Sequence, residues 1–326
     1  MAPRYVVVGA GAVGGTIGSR LSQAGHEVAL IARGVHGEAI RRAGLLLRDP
    51  EGDALLRPLC VPHPADLGWR DDDVVVLATK THQALPALEA LAAHAPPSLA
   101  VVCATNGFET ERLALRRFEQ VVAMTVMLPA AHLRPGEVSA YSAPITGILD
   151  VGRYPEGTDD LVARVAADLE AATFSARADA DVMRRKRQKL LMNLANVLDA
   201  ACGPGARSGG AAELVARARA EGVACYEAAG LPFASDEEDG ERRGDLLSLR
   251  PVGGERRGGG STWQSLARRT GETEADYLNG EIVLLGRLHG VPTPVNEMLR
   301  RLAAELAATG AEPGRLRPEQ LEARLA

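Results

Sequence analysis

The chain opens on a short apolar run, Tyr5-Val-Val-Val8, too short to be a helix. Six glycine-rich residues come next, and residues 16–24 then carry a helical pattern, with Ile17 and Leu21 four apart, that stops at Gly25. A second apolar run fills 27–33, and further strand-like runs come at 57–61, 74–78, 99–103 and 121–125. Helical stretches at 83–93 and 109–117 separate the later ones, so the rhythm is strand, helix, strand. Val74-Val-Val-Leu77 is apolar at every position, as expected of a strand covered on both faces. Between 127 and 152 the helical pattern lapses. Val138-Ser-Ala-Tyr141 and 145–151 read as strands that extend the sheet antiparallel, and a helix at 159–172 with a strand near 173–176 closes the region. From Asp181 the pattern is helical only: 181–201, 211–229, 236–249, 261–269, 272–290 and 295–308, with 253–260 a glycine- and arginine-rich break read as a mobile loop. The fold class predicted is α/β, a doubly wound sheet over 1–180 followed by an all-helical domain over 181–326.

The glycine-rich turn sharpens this. Gly9-Ala-Gly11-Ala12-Val13-Gly14 sits between a strand and a helix, the context in which a G-x-G-x-x-G motif binds a dinucleotide. Gly9 permits the tight turn, Gly11 lets backbone approach a pyrophosphate, and Gly14 lets helix and strand pack closely. The first helical N–H groups, from Ala12 and Val13 onward, face the phosphates with the positive end of the helix dipole. At the end of the second strand, where an acid would bond a ribose 2′-hydroxyl, stands Arg33, with no acid before Glu38. A guanidinium there suits a 2′-phosphate, so NADP(H) is the expected cofactor of this Rossmann-type domain. Ligands of such sheets bind beyond the carboxyl ends of the strands, which makes Lys80 and Gln83 after one strand, and Asn106-Gly107 after the next, crevice candidates.

Bulk properties remove several function classes. A formal net charge of -5, spread along the chain, speaks against nucleic acid as a partner. No apolar run is long enough to span a membrane, and no signal peptide is read before the first strand. Cys60, Cys103, Cys202 and Cys225 have no metal-site spacing and read as free thiols of a cytoplasmic protein, with no metal expected.

Rare residues mark the candidate chemistry. Of 37 basic side chains only Lys80, Lys186 and Lys189 are lysine, and the asparagines are Asn106, Asn193, Asn196, Asn279 and Asn296. Where arginine serves almost everywhere, a lysine is expected to do what arginine cannot, namely exchange a proton. Lys189-Leu-Leu-Met-Asn193-Leu-Ala-Asn196 concentrates three of them, and at about 100° per residue all three share one stripe of a continuous helix. Lys186, three residues earlier, is a competing candidate for the same role. Acids at Glu272, Glu274 and Asp276 suit the first turn of the helix predicted over 272–290, although Glu274 is also placed to meet the lysine.

Taken in order, Gly9–Gly14, Arg33, Lys80 with Gln83, Asn106-Gly107, Lys189-Leu-Leu-Met-Asn193, Ser261, Glu274-Ala-Asp-Tyr-Leu-Asn-Gly280 and His289-Gly-Val-Pro-Thr-Pro-Val-Asn296 resemble the ketopantoate reductase family from end to end. The resemblance implies a Rossmann domain, a helical domain, and NADPH-dependent reduction of 2-dehydropantoate to (R)-pantoate on the route to pantothenate and coenzyme A. By position it makes Lys189 the catalytic proton donor and Glu274 the acid that holds it. It makes Asn106, Asn193 and Ser261 substrate-binding residues, with Asn106 near the nicotinamide; Asn196, on the lysine's stripe, is grouped with them. Gly9, Gly11, Gly14, Arg33, Lys80 and Gln83 fall on the cofactor side. Two positions depart from the common family pattern: Val197 stands where a second asparagine is usual, and 261–274 is one residue longer. Reduction of another 2-oxo acid, ketone or imine therefore stays open beside the first reading, as does a non-catalytic dinucleotide sensor. The expected partner is a small-molecule 2-oxo acid, and the helical domain could support a homodimer.

Overall fold

In the computed structural model, residues 3–325 are described. Met1 and Ala2, part of the stretch that reads as lacking a signal peptide, lie outside them. The chain divides into two compact units, one running to Lys186 and including Asp236–Arg257, the other formed by Arg187–Ser235 and Gly258–Ala326.

The first unit begins with β1 (Tyr5–Val8), α1 (Ala12–Gln23), β2 (Val28–Ile31) and α2 (Gly34–Ala43). Next come β3 (Leu45–Asp49), β4 (Gly52–Leu56), β5 (Leu59–Val61), β6 (Val74–Leu77), α3 (Ala84–Ala92), β7 (Ala100–Cys103) and α4 (Glu109–Leu115). It continues with β8 (Gln120–Met127), β9 (Ala130–Ala131), β10 (Glu137–Ala140), β11 (Ile148–Arg153) and α5 (Asp160–Ala171). Seven strands form the main sheet in the order β11-β8-β7-β6-β1-β2-β5, parallel except for β11, which runs antiparallel to β8. Its central strands are buried on both faces. Val7, Val76 and Val102 enter one core, while Val6, Val8, Val75, Leu77 and Val101 enter the other. This is the reason these runs are uniformly apolar rather than alternating.

The strand at Val138 does not extend that sheet. β10 pairs in parallel with β3 in a separate four-stranded sheet, order β4-β3-β10-β9. β3 and β10 alternate buried and half-buried residues, so each has one apolar face to cover and cannot join a sheet packed on both sides. Arg20 of α1 fastens the small sheet through an ion pair to Asp49 at 2.6 Å, both side chains nearly buried.

The helical region differs from expectation in several places. The helix predicted over 181–201 is two, α6 (Val182–Asn193) and α7 (Asn196–Cys202). The break has a cause: the buried Asn279 amide donates to the Leu194 carbonyl at 3.1 Å, the acceptor that the helix ladder would otherwise use. After α8 (Ala212–Ala228), the helix α9 (Asp236–Arg243) belongs to the first unit, not to the helical one, so the boundary expected at 180/181 shifts and 236–257 returns across it. Arg242 explains this. It is 4% exposed and grips Asp150 of β11 with bonds of 2.6–3.1 Å, and also reaches Ser175. A buried guanidinium keeps its charge only against such a partner. The remaining helices are α10 (Ser261–Ala267), α11 (Asn279–His289), α12 (Pro294–Ala308) and α13 (Pro318–Glu322). Part of the glycine run expected to be a mobile loop is packed: a Cβ on Gly258 or Gly259 would strike the Trp263 side chain.

Candidate active site

The glycine turn has the geometry a dinucleotide needs. Gly9 holds φ +96°, a left-handed conformation that a side chain resists. A Cβ on Gly14 would lie inside the Gly9 carbonyl and only 2.8 Å from Ala78 Cβ and 2.9 Å from Val7 Cγ1, so the helix can approach β1 and β6 only without one. At Gly11 a Cβ would meet nothing within 4 Å. That open space fronts the first turn of α1, whose N-cap is Gly11 and where no side chain caps the N–H groups. Ala12 and Val13 thus present uncapped N–H groups to a clear volume, which fits a pyrophosphate. Arg33 is exposed at the N-cap of α2, two residues beyond β2.

A residue with no signal in the sequence pattern supports this turn. His36 Nδ1 accepts from the Gly136 N–H at 2.9 Å, so its proton lies on Nε2, which donates to the Ala10 carbonyl at 2.7 Å. The ring also packs on His132, centroids 4.1 Å apart. One imidazole therefore ties the glycine turn to the start of β10.

The loops after β6 and β7 come together. Lys80 caps the single turn Thr81–Gln83, and Thr81 Oγ1 donates to the Asn106 carbonyl at 3.3 Å. Lys80, Gln83 and Asn106 thus share one edge of the sheet, the carboxyl edge that also carries the glycine turn.

Lys186 is buried in the first unit. It is 3% exposed; its ammonium donates to the Thr105 carbonyl at 2.8 Å and the Met124 carbonyl at 2.9 Å, and forms an ion pair with Glu111 Oε1 at 2.9 Å. Two hydrogen bonds and the ion pair hold this buried ammonium inside the first unit rather than on an accessible surface. Burial pushes the Glu111 carboxyl above its ordinary range, against the pull of the Lys186 ammonium.

The second unit carries Lys189, Asn193, Asn196, Ser261 and Glu274. Lys189 and the buried Asn193 lie four apart on α6 and keep a common face. Asn196 is the first residue of α7, after the break, and its Oδ1 accepts from Arg207 at 3.2 Å. It remains near the start of α10, since a Cβ on Gly260 would lie 3.8 Å from that oxygen, and Ser261 is the first residue of that helix. Glu274 is 6% exposed and precedes the short turn Ala275–Tyr277, with α11 starting only at Asn279. The first-turn explanation for its charge therefore does not apply to α11, and a buried carboxylate remains.

The last two asparagines have a role that their sequence positions do not disclose. Asn279 and Asn296 are both fully buried and bonded to each other at 3.0 Å. Asn296 donates to Glu221 at 2.7 Å, and Glu221 in turn accepts from the first N–H groups of α12. The network ends at the Leu194 carbonyl, one residue beyond Asn193. Their scarcity is the signal that could have found them.

Two family models cover most of the chain. Residues 5–156 match "Ketopantoate reductase PanE/ApbA", and residues 181–307 match its C-terminal counterpart. A 2-dehydropantoate 2-reductase of Halobacterium salinarum is 30% identical over 319 residues, 92% of this chain and 97% of that one. The crystal structure of a PanE/ApbA family ketopantoate reductase from Ralstonia eutropha superposes with a TM-score of 0.76 at 27% identity, covering 94% of this chain and 99% of its own. D-mandelate dehydrogenase with NADH and anilino(oxo)acetate shares the fold, with a TM-score of 0.77 at 20% identity over 94% of this chain and 99% of its own.

Proposed function

The chain belongs to the ketopantoate reductase family, and from that premise we propose that it reduces the ketone of 2-dehydropantoate to (R)-pantoate with NADPH. The observation that carries this reading is the division of labour between the two lysines of α6. Lys186 is buried against two carbonyls and Glu111, whereas Lys189, on the next turn, shares its face with Asn193 in a unit that also holds the buried carboxylate of Glu274.

The residues present fit a bound dinucleotide, which supplies a hydride to the carbonyl carbon. Gly9, Gly11 and Gly14 with the N–H groups of Ala12 and Val13 hold its pyrophosphate, and Arg33 favours the 2′-phosphate of NADP(H) over a plain ribose. Lys80 and Gln83 contact the cofactor side, and Asn106 orients the nicotinamide end and the substrate. Lys189 Nζ delivers the proton to the oxygen that gains charge as the hydride arrives, the moment at which an ammonium interacts most strongly. Glu274 orients that ammonium. Asn193 and Ser261 bind the substrate's polar groups, and Asn196 supports the same end from α7.

A second reading is favoured by one observation. Val197, where many family members carry a further asparagine, is buried, 1% exposed, and offers no amide. A substrate end with one amide fewer suits another 2-oxo acid or ketone. NADPH oxidation measured with 2-dehydropantoate beside a panel of 2-oxo acids separates the readings. Preferred turnover of 2-dehydropantoate is the expected result, and tight dinucleotide binding with no turnover of any carbonyl would overturn both. Lys189→Ala should lower kcat by about 10²–10⁴-fold with dinucleotide affinity retained, and Lys189→Arg should not restore it.

A further inference from the structure

We propose that Lys186 and Glu111 are positioning residues that pin the Asn106 loop, and with it the nicotinamide half of the cofactor site, to the first half of helix α6. The inference rests on the dinucleotide reading of the glycine turn.

The sheet order places the two halves of the cofactor. With the pyrophosphate at the turn after β1, Arg33 marks the adenosine side beyond β2. The other half must run the opposite way along the carboxyl edge, over the ends of β6 and β7, where Lys80, Thr81 and Asn106 stand. At that point the sheet loses its own restraint: the β7–β8 ladder ends at the pair Cys103–Ala123. Just beyond it, the carbonyls of Thr105 and Met124 both accept from Lys186, and Glu111, on the helix after the loop, forms an ion pair with the same ammonium.

The peptide group joining Thr105 to Asn106 is thus held through its carbonyl, and the Asn106 carbonyl is held in turn by Thr81. Both acid and ammonium are out of water, with Glu111 at 0% and Lys186 at 3% exposure, so this is a costly arrangement for surface adhesion alone. Two carbonyls and a carboxylate gather within 2.9 Å of one compact ammonium. A planar guanidinium fork directs its N–H groups within one plane and would not reach all three. That accounts for a lysine at 186 between Arg185 and Arg187 in a chain that otherwise uses arginine.

The test uses the full chain with Glu111→Leu and Lys186→Met together, since an apolar pair of similar volume in place of a buried ion pair leaves folding stability nearly unchanged or raised. Titration with NADPH, followed by the fluorescence of its reduced nicotinamide, is compared with titration with 2′-phospho-ADP-ribose, which lacks that ring. The expected result is about tenfold weaker NADPH binding with an altered nicotinamide signal, unchanged affinity for the fragment, an unchanged melting temperature, and kcat lower by about 100-fold. A merely structural pair would move none of the nicotinamide readouts once the fold is kept. Wild-type NADPH affinity, fluorescence and kcat in the folded double variant would overturn the inference alone. A wild-type chain that binds neither ligand overturns the dinucleotide reading and the inference with it. Should the apolar pair not fold, Glu111→Gln with Lys186→Gln keeps amide donors toward the same carbonyls. It is expected to weaken NADPH but not the fragment, and an equal loss for both ligands would overturn the proposal.

Discussion

Gly11 and Gly14 stand three residues apart in one turn, and the structure assigns them opposite failures. At Gly14 a methyl group would penetrate the Gly9 carbonyl and crowd Ala78 Cβ and Val7 Cγ1 at 2.8 and 2.9 Å, all on rigid backbone or short side chains of β1 and the end of β6. Relief requires α1 to lift from the sheet, an overpacking strain of about 3 kcal/mol. At about 2–4 °C per kcal/mol for a unit of this size, Gly14→Ala should lower the melting temperature by roughly 6–12 °C. Gly11 has φ -72° and ψ -159°, which alanine adopts freely, and open space in front. Gly11→Ala should therefore leave stability unchanged or raise it by about 0.4–1 kcal/mol through the unfolded chain. Its methyl group, however, occupies the volume a pyrophosphate needs, so dinucleotide affinity should fall by about tenfold or more. Thermal unfolding followed by far-ultraviolet circular dichroism, with and without NADPH, reads both effects. The reasoning fails if Gly11→Ala binds NADPH as the wild type does, or if Gly14→Ala melts at the wild-type temperature.

Three further outcomes are expected. Asp150→Ala leaves the buried Arg242 without its carboxylate and should cost about 3–5 kcal/mol, with early proteolytic cleavage in 236–257 as the signature that this segment belongs to the first unit. Asn279→Leu removes the donor to the Leu194 carbonyl and to Asn296 Oδ1, for about 2–4 kcal/mol in urea unfolding; a loss below about 1 kcal/mol would contradict the network. The Arg300 and Arg301 guanidiniums beside Glu297 hold its carboxyl at about 2, below its ordinary 4.5. A depressed carboxyl stabilises the fold above its unfolded value, and that stability is lost as pH falls from 4.5 towards about 2. With the screening expected of a partly exposed cluster, Glu297→Gln should lose about 1 kcal/mol at neutral pH and flatten this part of the acid-unfolding curve. An equally steep acid loss in the variant would refute the assignment.

The order of elements in the first unit is legible because a strand covered on both faces writes itself as a short apolar run, and a glycine turn after such a strand leads into a helix. The hairpin of β3 and β4 is not, since Leu45–Asp49 and Gly52–Leu56 are short, half-wet and paired with a strand some ninety residues away. In the helical region the locations of helices are readable from periodicity, but not where one is broken. Nothing local to Leu194 or Ala195 marks a break; the cause is Asn279, distant in sequence and adjacent only in the fold. The same division holds for the candidate site. Residue scarcity points to Lys186, Lys189, Asn193, Asn196, Asn279 and Asn296 together, because composition records that a residue type was kept without recording its neighbours. Only packing separates them: Lys186 is buried against Glu111 and two carbonyls, Asn279 and Asn296 are buried in a network, and Asn196 begins a separate helix, α7, and meets Arg207. By itself the sequence determined the chemistry available and the strand–turn–helix that can cradle a dinucleotide, since those depend on residue type and local spacing. Which of the rare polar groups are spent on holding the fold together, the tertiary structure decided, because burial and hydrogen-bond partners are set by residues far apart along the chain.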